Sequence, residues 1–405
     1  MRINLERLMA RLGALAMVGA IDGNGVCRLA LSDEDRAGRD LVLGWMRELG
    51  LDVTIDRIGN VVGVRKGREV GAAVMTGSHI DTVATGGRYD GNLGVLAGLE
   101  VVETLNDAAI TTQKPLAVAF FTNEEGVRYA PDMMGSAVHQ GQFDLDEMLA
   151  VVGVYGSTLG DELTRIGYAG DMPVGQQRAS SFVELHIEQG PLLEAENIQI
   201  GAVEKVQGIS WTEYLLNGTA NHAGTTPMRL RHDAGFVAAA ITREARQIAS
   251  DMGGDQVATV GVTELTPNLI NVIAKQARLT VDMRNTDNAK LVDAEQRMTN
   301  FVAEVCETEG VAFKSRSLVR LEPVSFDSNM VSLIADTAQS LGFSVKRMPS
   351  GAGHDAQMFA PNCPTAMIFV PSRNGISHNV AEYTEPEQLR AGADVLLQVL
   401  LAKAQ

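Results

Sequence analysis

Three short stretches of this 405-residue chain set imidazoles beside carboxylates. Ser78-His79-Ile80-Asp81 is followed closely by Gly87-Arg88-Tyr89-Asp90-Gly91-Asn92. Asn123-Glu124-Glu125-Gly126 supplies an acidic pair, and His186-Ile187-Glu188-Gln189 a second histidine with polar neighbours. His354 (in SGAGHD, 350–355) and His378 (in Ser377-His378-Asn379) stand in polar loops further on. Imidazole nitrogen and carboxylate oxygen are ligands for a divalent metal such as zinc. Two imidazoles, a shared aspartate, a glutamate and a further histidine suffice for two adjacent divalent ions, typically about 3.5–4 Å apart. Glu124-Glu125 is the sharpest pair. Adjacent carboxylates at a buried strand end repel each other and raise one pKa unless a cation or proton intervenes. One glutamate on metal and the other as general base resolves the conflict. An arbitrary Glu-Glu is usually a solvated strand terminus; the apolar run before it and the three histidine loops favour chemistry here.

These residues need rigid elements to carry them. Apolar runs end at each motif: Val74-Met75 before His79, Leu116–Thr122 before Glu124, Phe182–His186, and Thr365–Val370 before His378. Continuous apolar runs of this length suit strands buried on both faces, and loops beyond the carboxyl ends of such strands converge on one crevice. Helices are expected at Asp33–Leu49 with Ser32 as N-cap, at Gly94–Leu105, at Asn329–Leu341 and at Pro386–Ala404. At about residue 208 the pattern changes to strand Ile209–Leu216, helix Asp233–Ser250, strand Gln256–Leu265, strand Asn271–Arg284, helix Asn288–Thr308 and strand Ala312–Leu321. This β-α-β-β-α-β order is one ferredoxin-like unit, without metal-ligand clusters of its own. The chain therefore reads as α/β, with residues 1–207 and 326–405 forming one discontinuous domain around an inserted domain at 208–325.

Composition narrows the partners. Hydrophobic residues at 45% and charged residues at 21% are a globular balance. A formal charge of −16 argues against nucleic acid and against anionic membrane surfaces. No run of about 18 apolar residues is present for a membrane span. Leu12–Ile21 faintly resembles a signal segment, but Leu5, Leu8, Met9, Leu12 and Leu15 have helical spacing and favour an amphipathic first helix. Three cysteines without a CxxC motif fit a reducing compartment, the cytoplasm.

Taken together, GSHIDT (77–82), GGRYDGNLGVLAGLE (86–100), FTNEEGVRY (121–129), ELHIEQGPLLE (184–194), NHAGTTPM (221–228), RLTVDMRN (278–285), SGAGHDA (350–356) and ISHNVAEYT (376–384) resemble the M20 peptidase superfamily. The likeness is to its hydantoinase/carbamoylase-type amidases, the group of N-carbamoyl-L-amino-acid hydrolase, β-ureidopropionase and allantoate amidohydrolase, and it runs almost end to end. The resemblance implies a metallohydrolase with a mixed-sheet catalytic domain and a lid/dimerisation domain at 208–325. It implies two divalent ions per subunit, zinc or else manganese, cobalt or nickel. His79 and His186 would bind one, Glu125 and His378 the other, and Asp90 both. Asp81 would orient His79 through its other ring nitrogen, and Glu124 would be the general base and later acid. His222 would reach the partner's active site in a homodimer formed through the lid. Arg284 would pair with the substrate carboxylate, with Gln189, Gln207, Asn271, His354 and the Gly353 backbone as further substrate contacts. The implied substrate is a small N-carbamoyl-L-amino acid or ureido acid.

Plainer readings stand beside these. Without the resemblance, His222 in Asn221-His222-Ala223-Gly224 is an ordinary turn residue, and Arg284 forms a local ion pair with Asp282. His139 and His232 match no ligand position. Asn92 follows Asp90-Gly91 where relatives often carry an aliphatic residue. Rival functions are allantoate amidohydrolase or β-ureidopropionase, then aminoacylase or aminopeptidase, and outside enzymes a metal-dependent binding protein.

Overall fold

The computed structural model describes residues 1–405, which divide into two compact units, Met1–Glu204 with Ser325–Gln405, and Lys205–Val324. The strands run in chain order as β1 (Ala20–Ile21), β2 (Gly25–Val26), β3 (Asp52–Ile55), β4 (Val61–Arg65), β5 (Ala73–His79), β6 (Leu116–Phe121), β7 (Ala179–Ile187) and β8 (Ile200–Val206). They continue as β9 (Gly208–Asn217), β10 (Val257–Thr266), β11 (Gln276–Asn285), β12 (Ala312–Leu321), β13 (Val324–Ser325), β14 (Val345–Ser350) and β15 (Thr365–Val370).

The first unit is built on a nine-stranded mixed sheet in the order β13-β8-β15-β7-β5-β6-β4-β3, with β14 also paired to β8. Its centre is parallel: β15 with β7, β7 with β5, and β5 with β6. Every residue of β5, β6 and β15 is buried, which is why their sequences read as unbroken apolar runs. Helix Asn92–Asp107, apolar almost all round, packs on β5 and against the C-terminal helix Pro386–Ala404. Helix Leu5–Ala16 buries Leu8, Leu12 and Leu15, the stripe its spacing predicts, and Ser32 caps helix Asp33–Glu48 by accepting the Asp35 N–H. No helix is long and apolar enough to cross a membrane.

The second unit has a four-stranded antiparallel sheet ordered β10-β11-β9-β12. Helices Ala234–Met252 and Asn288–Glu309, capped by Asp233 and Asp287, bury Val237, Ile241, Met298 and Val302 against Leu216, Leu279 and Val281. The strand expected at Asn271–Arg284 begins only at Gln276. Asn271–Lys275 pairs with no neighbouring strand, and Val272 makes one isolated bridge, to His222. Strands β8 and β14 were not anticipated. Lys205, Lys346 and Pro349 interrupt their apolar character, and their pairing depends on neighbours distant in sequence.

Candidate metal centre

Four parallel strands end side by side, and each releases one of the loops singled out by residue type. From β5 come His79 and Asp81, and from β6 Glu124 and Glu125. From β7 come His186 and Gln189, and from β15 the loop to His378. This is the position at which open α/β sheets bind ligands.

Asp90 stands at the centre with its two oxygens facing different groups. Its Oδ1 lies 3.5 Å from His79 Nε2 and 3.1 Å from His186 Nε2. Its Oδ2 lies 3.4 Å from His378 Nε2, which is itself 3.3 Å from Glu125 Oε2. The donor atoms thus form two sets, His79/Asp90/His186 and Asp90/Glu125/His378, each compact enough to hold a metal ion. His79 Nδ1 sits 2.9 Å from the Asp81 carbonyl and His186 Nδ1 2.9 Å from the Ile187 carbonyl. Those contacts hold the Nδ1 protons and turn both Nε2 lone pairs inward, the tautomer that ligation requires.

The charge balance also calls for a cation. Burial opposes a charged ring at His79 and His186, but the surrounding carboxylates outweigh it and hold both above the usual histidine range. Burial works against the Asp90 carboxylate too, yet its three histidine contacts keep it well below the usual range. Asp90 raises His378 to about 9, and burial with Asp90 nearby raises Glu125 to about 8. Imidazoles and carboxylates gathered this closely, with donor atoms within metal-binding reach of one another, fit a divalent ion.

Glu124 borders this cluster, its Oε2 3.4 Å from His79 Nε2. Burial pushes its carboxyl well up, with Asp355 and Glu125 adding to the rise. Asp81 meets the other ring nitrogen of His79 through its main chain. Its carboxylate does not reach His79; the main-chain carbonyl two residues along the turn does. The carboxylate accepts the N–H groups of Glu124 and Glu125 instead, each at 3.3 Å.

Of the expected substrate contacts in this unit, Gln189 donates through Nε2 to Asp90 Oδ2 at 2.8 Å, while its buried Oε1 has no partner. The His354 ring stands edge-on to that of His186 at 4.6 Å, with Nε2 2.8 Å from Ser350 Oγ. At Gly353 a Cβ would come within 2.9 Å of Met133. Glu188 turns away and caps helix Leu192–Ala195 by accepting the Leu192 and Leu193 N–H groups. Gln207, His222, Asn271 and Arg284 belong to the second unit. There, His222 Nδ1 accepts the Gly224 and Thr225 N–H groups, and Ala223 donates to the Asn271 carbonyl. Arg284 Nη2 donates to Asp282 at 2.9 Å, so the plain readings of His222 as a turn residue and Arg284 as an ion pair are both realised.

Residues 75–402 match the sequence model of peptidase family M20/M25/M40. The chain belongs to that family. An N-carbamoyl-L-amino-acid amidohydrolase from Rhizobium meliloti is 41% identical over 405 residues, covering 100% of this chain and 97% of the relative. Allantoate amidohydrolase of Escherichia coli strain K12 is 34% identical, covering 95% of each. The crystal structure of a hydantoinase/carbamoylase family amidase from Burkholderia multivorans superposes with a TM-score of 0.97 at 44% identity, covering 100% of this chain and 98% of that one.

This M20 family chain also carries site residues that sequence reasoning passed over. Glu382 accepts the Tyr89 and Asp90 N–H groups at 3.0 and 3.2 Å and the Ser377 hydroxyl at 3.1 Å. It joins the Asp90 turn to the His378 loop, and a Cβ at Gly87 would collide with it. Glu184 accepts from Ser78 Oγ at 2.6 Å and Ala356 N at 2.8 Å, tying β5, β7 and the His354 turn together. The signal for Glu184 was available as a lone carboxylate inside an apolar strand. Nothing local marks Glu382.

Proposed function

We propose that this M20 family hydrolase cleaves the carbamoyl amide of N-carbamoyl-L-amino acids, releasing the amino acid, ammonia and carbon dioxide. The observation that carries the reading is Asp90 facing two donor sets with Glu124 at their edge. The substrate follows the naming of the full-length relative from Rhizobium meliloti. His79 and His186 would hold one divalent ion, Glu125 and His378 a second, with Asp90 between them; zinc, manganese, cobalt and nickel all suit these donors. Such ions supply Lewis acidity, polarising the scissile carbonyl and acidifying water.

The chain's own residues do the rest. Glu124 takes the proton of the attacking water and delivers it to the leaving nitrogen. Burial, the main cause, holds its carboxyl above the usual glutamate range, the direction that helps it give the proton back. Asp81 fixes the Glu124-Glu125 main chain, so the base and its neighbour stay in register. Gln189 presents its unpartnered Oε1 to a substrate N–H. From the second unit, His222 donates to the developing oxyanion, and the loss of one such donor typically costs about 10²–10³ in rate. Arg284, with Asn271, Gln207 and the His354-Gly353 turn, holds the carboxylate and orients the scissile group. The second unit is read as a ferredoxin-like lid through which two copies dimerise. The free cysteines Cys27, Cys306 and Cys363 suit a reducing cytoplasm.

Allantoate is the second reading, favoured by the relative from Escherichia coli. Ammonia release from N-carbamoyl-L-amino acids, N-carbamoyl-β-alanine and allantoate separates them. The highest kcat/KM is expected on N-carbamoyl-L-amino acids. Allantoate in first place assigns the second reading, and hydrolysis of N-acetyl-amino acids alone refutes both.

A further inference from the structure

Arg28 is one of the largest side chains fully excluded from solvent, yet its guanidinium meets no carboxylate. Its acceptors are neutral: Nε donates to the Ile80 carbonyl at 2.7 Å, Nη1 to the Leu15 and Val18 carbonyls at 3.0 and 2.8 Å, and Nη2 to Asn92 Oδ1 at 2.7 Å. The Arg28 main chain is joined to the same turn. Its N–H donates to Thr82 Oγ1 at 2.8 Å, and its carbonyl accepts the Thr82 N–H at 2.9 Å. Arg28 therefore grips the His79–Asp81 turn from both sides and spans from it to Asn92. Asn92 is buried, starts a helix that is apolar through its next seven residues, and donates its main-chain N–H to the Asp90 carbonyl at 2.7 Å. Helix Asp33–Glu48 leaves room through Gly38, where a Cβ would press on Arg28 Cδ at 2.8 Å.

The two turns so joined touch each other with no slack. At Gly91, with φ near +65°, a Cβ would lie 2.4 Å from the His79 ring. A small change in the spacing of these turns moves His79 Nε2 against Asp90 Oδ1, because the backbone between them cannot absorb it. We propose that the Arg28–Asn92 hydrogen bond is a strut that sets the spacing of the His79 and Asp90 turns and thereby sets how tightly the site holds its divalent ion. Asn92 is then a positioning residue, and its amide oxygen supplies the acceptor that the buried guanidinium requires. An aliphatic side chain there leaves Nη2 buried without a partner. The inference rests on the reading of His79 and Asp90 as metal ligands, but not on the identity of the substrate.

The test compares wild type with Asn92→Leu and Asn92→Asp, two replacements of similar size. Aspartate keeps the acceptor and also removes the Nδ2 group, which has no partner. Metal-stripped proteins are titrated with Zn²⁺ against a competing chelator, and melting temperatures are recorded without metal. Asn92→Leu is expected to bind Zn²⁺ about 10–100-fold more weakly, the usual effect of losing a contact behind a ligand, whereas Asn92→Asp stays near wild type. At saturating Zn²⁺ the KM of Asn92→Leu stays near wild type while kcat falls. A merely structural role would lower the melting temperature and leave Zn²⁺ affinity alone, and that result overturns the strut. Should Asn92→Leu not fold, the pair Arg28→Met with Asn92→Leu removes charge and acceptor together; wild-type Zn²⁺ affinity in that protein is equally fatal. Absence of Zn²⁺ binding in wild type would instead defeat the reading of the metal centre.

Discussion

The Asp81 carboxylate accepts the main-chain N–H of Glu124 at 3.3 Å, and so reaches from the end of one central strand to the loop beyond the next. A carboxylate has acceptors on both oxygens, and Asp81 uses the second on the Glu125 N–H. In Asp81→Asn, the amide nitrogen turns a donor toward one of those N–H groups. A kcat lowered about 10–100-fold is expected, with the fold intact by circular dichroism. Undiminished kcat would show that the Glu124-Glu125 turn holds its place unaided.

Glu124→Gln removes the proton carrier while keeping size and leaving every other donor atom in place. Metal content by elemental analysis should match wild type, and turnover should fall by about 10²–10⁴. Wild-type turnover would strip Glu124 of its role.

Arg284 is already committed to Asp282, so a substrate carboxylate must share or replace that partner. Arg284→Ala is expected to lower kcat/KM for N-carbamoyl amino acids by about 10–100-fold, corresponding to roughly 1.5–3 kcal/mol for a hydrogen bond to a charged group. Hydrolysis of the corresponding amino-acid amides should change little. Equal losses on both substrates would mean that the arginine serves the second unit's structure.

Glu162 offers a test of stability against pH well away from the metal centre. It accepts from Arg128 Nη2 and Arg165 Nε, each at 2.8 Å. Burial pushes its carboxyl up, but the two arginines outweigh this and hold it below the usual glutamate range. A group whose pKa is lower folded than unfolded stabilises the fold above its unfolded pKa, and that contribution disappears as pH falls through the folded value. Glu162→Gln should therefore be less stable than wild type at neutral pH, by about 1 kcal/mol, and the two should converge as pH falls below the usual glutamate range. A gap that widens in acid would contradict the sign.

Much of the centre was legible because its residues follow all-buried strands. A strand buried on both faces leaves an apolar run, and the first polar residues after it sit at the rim. His79, Glu124 and His186 could be singled out in this way, while His378 stands in the loop that follows β15. What could not be read is the layer behind them. Arg28 and Glu382 act across long separations, and nothing in their immediate surroundings marks a partner. Asp81 shows a subtler limit: its main-chain carbonyl meets His79, while the partners of its carboxylate, the Glu124 and Glu125 N–H groups, lie in the loop beyond the next strand. Among the elements, Asn271–Lys275 looked continuous with β11 because Val272 and Ile273 have strand-like side chains, but they meet only the short Asn221–Ala223 stretch, in one isolated bridge outside the sheet.

Along the chain the second unit lies between the two segments of the first, Met1–Glu204 and Ser325–Gln405, and that order sets how the centre is completed during synthesis. Ser377 donates to Asp90 across 287 residues of chain. On the ribosome, His79, Asp90, Glu125 and His186 all emerge before the second unit, and His378 emerges after it. One face of Asp90 can be furnished early, but the other waits for β15 to be made and docked beside β7. Completion of the Asp90/Glu125/His378 donor set would then mark a finished chain, and a polypeptide interrupted before Pro371 would lack His378 and leave that set incomplete.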